Sequence, residues 1–350
     1  MPQIAAVATA LPPYVVTQPA ARAFATAHFR AHRRDVERLL PVFDHTGIAT
    51  RHTCVPPEWF AASHDAREKN ELYIDWSTRL GAEVVRSLAA GSSLSLTEIT
   101  HIIFVSTTGL ATPSIDSRLL NVLGLSERVV RTPIWGLGCA GGAAGLALAQ
   151  RLALGDPHAV IALVCVELCS LTFHHADFSK SNFIATALFA DGAAGVMVTG
   201  NGRPAAGPRI LAVGTTTWPG SLEVMGWNFD AVGMQVVFSQ AIPRIVREKV
   251  RDNTGEFLRR HGHDFAGIGH WMVHPGGTKV MAAYEDALAL GPDTLRHARA
   301  VLRDCGNMSS PTVLFVLERL LRSGETRPGQ YGLLTALGPG FSAENLLLQF

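Results

Sequence analysis

The stretch Gly141–Cys165, GGAAGLALAQRLALGDPHAVIALVC, decides the fold. Gly141–Leu154 is rich in Ala and Leu, residues that cost little in a helix, and it stops at Gly155-Asp156-Pro157. Val160–Cys165 is short and apolar without alternation, the composition of a strand buried on both faces. Upstream, His101–Ser106 (HIIFVS) reads the same way, and Ala194–Thr199 (AGVMVT) is a further strand. Beyond Gly200–Pro208 (GNGRPAAGP), a Gly- and Pro-rich boundary, the grammar resumes. Pro243–His261 reads as a charged amphipathic helix, Gly269–Val273 as a strand and Thr278–Leu290 as a helix; Pro311–Leu321 is a helix and Gly332–Leu337 a strand. Strands separated by helical segments predict a layered α/β protein in two halves, 1–200 and 209–350. Strand–turn–helix patterns at Trp135–Leu146 and Trp271–Ala282 suggest that the halves are duplicates.

The 350 residues carry a net charge of +1, and only 17% are charged, which leaves no basic surface for a nucleic acid backbone. So little charge implies that part of the surface is covered, as in a subunit interface. Five cysteines, an odd number, do not make a disulfide framework and fit a reducing compartment, so a cytoplasmic location is expected. The first residues, MPQIAAVATALPPYVVTQ, read as a strand and a loop rather than a secretory leader, since Pro12 and Pro13 interrupt them. No apolar run is long enough to span a membrane.

Trp135–Gly145, WGLGCAGGAAG, permits two chemistries. Gly136, Gly138 and Gly141 satisfy a G-x-G-x-x-G pattern between a strand and a helix, with Glu167 ending the next strand, so an NAD(P)-dependent oxidoreductase is one reading. The other places the weight on Cys139, at the first turn of a helix, where free N–H groups stabilise a thiolate; a buried structural cysteine is the plain alternative. His274 ends a strand and enters a Pro-Gly-Gly turn, and Asn307 lies in GNMSS before a helix. Alone, each could be a core histidine or a helix cap. Together, Cys, His and Asn on three strand-to-helix turns supply a nucleophile, its partner and an oxyanion donor. Cys165 and Cys169 read as core residues, and no Cys/His set has the spacing of a zinc site.

The motifs GLGCAGG, LFADGAA (Leu188–Ala194), HPGG, GNMSS and LGPGFSAE (Leu337–Glu344), in this order, resemble the type III polyketide synthases of the chalcone synthase superfamily, in their bacterial form. The resemblance implies a homodimer with a thiolase-like fold, five layers (αβαβα) from two duplicated halves. It implies that Cys139 takes an acyl group from coenzyme A, that His274 keeps the sulfur ionised, and that Asn307 with His274 holds the enolate formed when malonyl-CoA loses CO2. It needs no cofactor or metal beyond the coenzyme A thioesters. Phe189 matches an aromatic gatekeeper, while the family's second gatekeeper falls on Val236, where the missing ring is expected to open room for a fatty acyl starter and alkylpyrone or alkylresorcinol products. A malonyl-primed synthase of a small phenol or tetrahydroxynaphthalene is the nearest alternative. Thr172, Gly226 and Ser309 match cavity positions, and Thr112, before a cis-type Pro113, matches a loop reaching into the neighbouring subunit. At the coenzyme A entrance the usual lysines are absent, and Arg51 in TGIATRHT is one basic candidate.

Overall fold

The computed structural model describes residues 1–230 and 233–350. Its strands are β1 (Gln3–Ala10), β2 (Tyr14–Thr17), β3 (Thr50–Thr53), β4 (His101–Val105), β5 (Val130–Ile134), β6 (Val160–Leu168), β7 (Asp191–Thr199), β8 (Arg209–Thr217), β9 (Met225–Phe229), β10 (Met234–Phe238), β11 (Ile268–Val273), β12 (Tyr331–Gly338) and β13 (Ser342–Gln349). Nine of them form one sheet in the order β5-β4-β6-β7-β1-β8-β13-β12-β11. Its centre is thin, for β1 and β8 share a single register pair, Gln3 opposite Arg209. The sheet is therefore two sheets joined at a hinge.

The two sheets have one plan. In the first, β1 pairs antiparallel with β7, β7 antiparallel with β6, and β6 parallel with β4. In the second, β8 pairs antiparallel with β13, β13 antiparallel with β12, and β12 parallel with β11. Duplication is thus present, but its correspondence differs from the sequence expectation. Trp271 lies on β11, whose counterpart is β4, whereas Trp135 follows β5, the edge strand that the second sheet lacks.

Helices complete the layers. Ala66–Ser92, capped by the Asp65 carboxylate on the Glu68 N–H at 2.8 Å, packs on the outer face of β1, β6 and β7. Ile242–Arg260 and Thr278–Leu288 pack against each other on the second half's outer side. Between the sheets lie Gly141–Gly155 and Thr312–Ser323, each touching strands of both halves and each other. Five layers result. No helix among the described residues is long and apolar enough to cross a membrane.

The glycines of the GGAAG segment are explained by this sandwiching. A β-carbon on Gly141 would stand 2.6 Å from a Val105 methyl, one on Gly145 2.6 Å from a Leu163 methyl, and one on Gly142 2.2 Å from the Ser310 carbonyl oxygen. They permit close helix packing. Glu167, the acid that the dinucleotide reading needs on a ribose, is fully buried and already occupied. One carboxylate oxygen accepts from the Thr107 N–H (2.9 Å), the Thr108 N–H (3.1 Å) and the Thr108 hydroxyl (2.9 Å). The other accepts from the Ser310 hydroxyl (2.8 Å), tying one half to the other. The dinucleotide reading therefore fails on packing.

Burial raises the Glu167 carboxyl to about 7 from an ordinary value of 4.5. The folded protein then holds a proton that the unfolded chain has released, so this group's contribution to stability is complete below 4.5 and declines as pH rises through 7. Glu167→Gln, which keeps an acceptor for the main-chain donors, is expected to fold and to lose that component of the pH slope. Glu167→Ala leaves several buried donors unpaired and is expected to lose about 3 kcal/mol. Urea unfolding of both variants between pH 4.5 and 8 checks the pair.

Candidate functional site

Three turns converge at one end of the central helices. After β5 the chain makes a short turn through Gly138, with φ +46°, before entering the helix Gly141–Gly155. The Gly138 N–H donates to the Thr107 hydroxyl at 3.1 Å, and a β-carbon there would approach Pro339 to 2.9 Å. Only glycine fits the dihedral and the space together. Cys139 follows, 8% exposed, immediately ahead of the helix.

His274 is carried by the end of β11, where its N–H donates to the Thr335 carbonyl at 2.9 Å. The residue is 5% exposed, and among the described residues neither of its ring nitrogens, both buried, has a hydrogen-bond partner. Such groups are costly in a finished core and mark a place prepared for a ligand. Asn307 is fully buried. It does not sit on a strand-to-helix turn, as the sequence suggests, but between the helices Arg296–Cys305 and Thr312–Ser323. A parallel bridge to Phe189 fixes it: the Asn307 N–H donates to Leu188 O (3.0 Å), and the Ala190 N–H to Asn307 O (2.9 Å). The Asn307 carboxamide oxygen accepts from the Ser309 N–H at 2.9 Å, and its nitrogen donates to Gly276 O at 3.3 Å. Cys139, His274 and Asn307 line one small pocket of about 20 Å³ with Phe238, Tyr284 and Leu337.

Burial acts on both reacting groups. It pushes the Cys139 thiol up to about 12, with a contribution from the Glu167 charge and relief from a Ser309 hydrogen bond, and it pushes the His274 imidazole down to about 4. Both shifts favour a neutral pair, against the ion pair that the resemblance implies. Charge separation requires their mutual attraction and the positive end of the helix Gly141–Gly155 to offset both burial costs.

A second chamber adjoins Cys139, lined by Gly226, Ser309, Phe189, Val236 and Pro339. It shares wall residues with an apolar cavity of about 110 Å³ that includes Thr172, Phe24, Phe60 and Phe173. The Thr172 hydroxyl donates to the Cys169 carbonyl at 2.7 Å. Cys169, expected in the core, lines both the chamber and the cavity, whereas Cys165 is a core residue. Thr112 lies on an exposed loop at a cis Thr112–Pro113 peptide and lines none of these spaces.

Arg51 is not at an entrance. It is 3% exposed, and its guanidinium donates to the carbonyls of Thr186 (2.7 Å), Ala187 (2.9 Å) and Phe189 (3.2 Å) at the end of the helix Lys180–Leu188, and to the Gln18 carboxamide. Burial lowers it to about 10. Arg51 is a buried cap on a helix C-terminus, and no coenzyme A diphosphate reaches it there. Sequence reasoning missed Trp227, which lines the chamber and the cavity alike; the alternation of MGWNF against MQVVF was the available signal. Among the described residues, no group of three or more His, Cys, Asp or Glu is placed to hold a metal ion.

Comparison with known proteins agrees with this geometry. Residues 2–202 match the N-terminal domain, and residues 210–350 the C-terminal domain, of the chalcone and stilbene synthases. The chain is 38% identical to a putative chalcone synthase of Bacillus subtilis, over 99% of this chain and 98% of that one. It is 37% identical to a 1,3,6,8-tetrahydroxynaphthalene synthase of Streptomyces peucetius, over 99% and 93%. The crystal structure of the Streptomyces coelicolor tetrahydroxynaphthalene synthase, a bacterial type III polyketide synthase, superposes with a TM-score of 0.95 at 27% identity, over 99% of both chains. The chain belongs to the chalcone and stilbene synthase family and is a type III polyketide synthase, similar to bacterial members, an acyltransferase of thiolase-like fold.

Proposed function

We propose that the enzyme loads a fatty acyl group from coenzyme A onto Cys139 and extends it with malonyl-CoA to an alkylpyrone or alkylresorcinol. The observation that carries this reading is the shared wall, with Phe189 and Val236 in it, between the chamber beside Cys139 and an apolar cavity bordered by phenylalanines. Such a cavity suits an aliphatic chain.

In this reading the neutral His274 imidazole takes the thiol proton as the Cys139 sulfur attacks the thioester carbonyl, and returns it to the departing coenzyme A thiolate. Malonyl-CoA then loses CO2, and the enolate oxygen accepts hydrogen bonds from His274 and from the Asn307 carboxamide nitrogen. The enolate carbon attacks the Cys139 thioester, a carbon–carbon bond forms, and the sulfur leaves as thiolate. The two unpartnered nitrogens of His274 support its double duty as base and donor. Decarboxylation supplies the driving force, so no metal or organic cofactor enters the scheme.

The malonyl-primed alternative has support of its own, since relatives matched over nearly the whole chain are named tetrahydroxynaphthalene synthases. We further infer a homodimer. The edge strand β5 is largely exposed, and Leu110, Val122, Val130 and Trp135 around it are at least half exposed. Thr112 lies on the adjacent loop, consistent with a reach into the partner's cavity. All five cysteines are free, which supports a reducing, cytoplasmic location.

Cys139→Ala is expected to form no acyl-enzyme with labelled acyl-CoA and to lose condensation by roughly 10³-fold or more; intact-protein mass spectrometry reads the first and product formation the second. An acyl-enzyme in that variant overturns the nucleophile assignment. Val236→Phe is expected to lower kcat/KM for a long-chain starter relative to a short one by about tenfold. Mass spectrometry of products from a panel of acyl-CoA starters, and from malonyl-CoA alone, separates the fatty acyl reading from the malonyl-primed one.

A further inference from the structure

Four residues line both the chamber beside Cys139 and the inner cavity: Cys169, Phe189, Trp227 and Val236. They make the wall that a chain leaving the sulfur must pass. Two of them stand face to face, for β9 and β10 pair antiparallel with Val236 directly opposite Trp227. Residues so opposed project on the same side of a hairpin, with β-carbons about 5 Å apart. The Trp227 ring packs on Phe189 with centroids 5.9 Å apart, and Phe238 meets the same phenylalanine edge-on at 6.2 Å. The small side chain at Val236 therefore does not leave an open doorway, because the indole from the neighbouring strand stands beside it. The hairpin is not paired with the nine-stranded sheet, so side-chain packing sets the place of this ring.

We propose that Trp227 is a specificity-determining residue, whose ring decides how long an acyl or polyketide chain passes from Cys139 into the inner cavity. The inference rests on the reading that this cavity receives the chain. Phe189 is tied by its backbone to Asn307 and cannot withdraw without disturbing the reacting groups. Trp227 has no such tie. The wall's adjustable element is thus the indole, and Val236 opposite is the space against which it works.

The test compares wild type with Trp227→Ala, Trp227→Phe and the exchange Trp227→Val with Val236→Trp. The readouts are the ratio of kcat/KM for a long and a short saturated acyl-CoA, each with malonyl-CoA, and the chain length of the products by mass spectrometry. Trp227→Ala is expected to raise the long-to-short ratio about tenfold, the scale of room for one or two methylenes, with Trp227→Phe between. The exchange variant, which returns an indole to the same face, is expected to bring the ratio back toward the wild-type value. A ratio unchanged or lowered in a folded Trp227→Ala protein that still acylates Cys139 with the short starter overturns the proposal, as does an exchange variant that behaves like Trp227→Ala. Should Trp227→Ala fail to fold, Trp227→Phe and the exchange decide by the same criteria. If wild type accepts no fatty acyl-CoA, the starter reading fails by itself, and Trp227 is judged on malonyl-CoA alone: longer products from Trp227→Ala support its role, and unchanged ones overturn it.

Discussion

The carbonyl oxygen of Ser310 occupies the place where a side chain on residue 142 would begin. That contact joins the starts of the two central helices, and each helix is preceded by a loop bearing a reactive group, Cys139 on one and Asn307 on the other. Any side chain at Gly142 would separate the helices and with them the sulfur and the carboxamide. Glu167 reinforces the junction from below by holding the Ser310 hydroxyl and the main chain of Thr107 and Thr108. The halves have diverged around this junction. The loop after β4 is structural, with Thr107 holding Gly138 in place, whereas the loop after its counterpart β11 delivers His274.

Charge follows from the same compactness. A deeply buried site desolvates its titratable groups, which drives the thiol and the imidazole toward their uncharged forms. What the burial costs in ionisation it returns in hydrogen-bond strength at an enolate or a tetrahedral oxygen, because donors act more strongly where water is excluded. The two nitrogens of His274, without partners among the described residues, leave its ring able to take part in that arrangement.

The strands and helices near the site were legible because their patterns are local: β4, β6, β11 and the helices Gly141–Gly155 and Thr278–Leu288 fall where hydropathy and stop signals put them. Cys139, His274 and Asn307 were legible as motifs, and their meeting in one pocket is the observed result. Other features depend on partners far along the chain and could not be read that way. Glu167 looks like a ribose ligand until the Thr107, Thr108 and Ser310 donors are seen around it. Arg51 looks like a surface cation until it is found under the carbonyls of Thr186 and Ala187. Trp227 depends on strand register, which a slip of one residue would reverse.

Register also separates what this fold holds in place from what it leaves adjustable. Cys139 and Asn307 stand on the segments that lead into the two central helices and His274 at the end of a sheet strand, all three buried, where a displacement would propagate through both halves. Trp227 and Val236 stand on a two-stranded hairpin that pairs with neither sheet. A substitution there changes the volume of the passage without passing strain to the junction of the helices. Bond formation and chain length are therefore assigned to different elements, which meet where Phe189 packs on Trp227 and pairs by its backbone with Asn307, and where Met225 and Phe238 of the hairpin line the pocket of Cys139, His274 and Asn307. Through Phe189, a change in chain selection would also be felt as a change in chemistry.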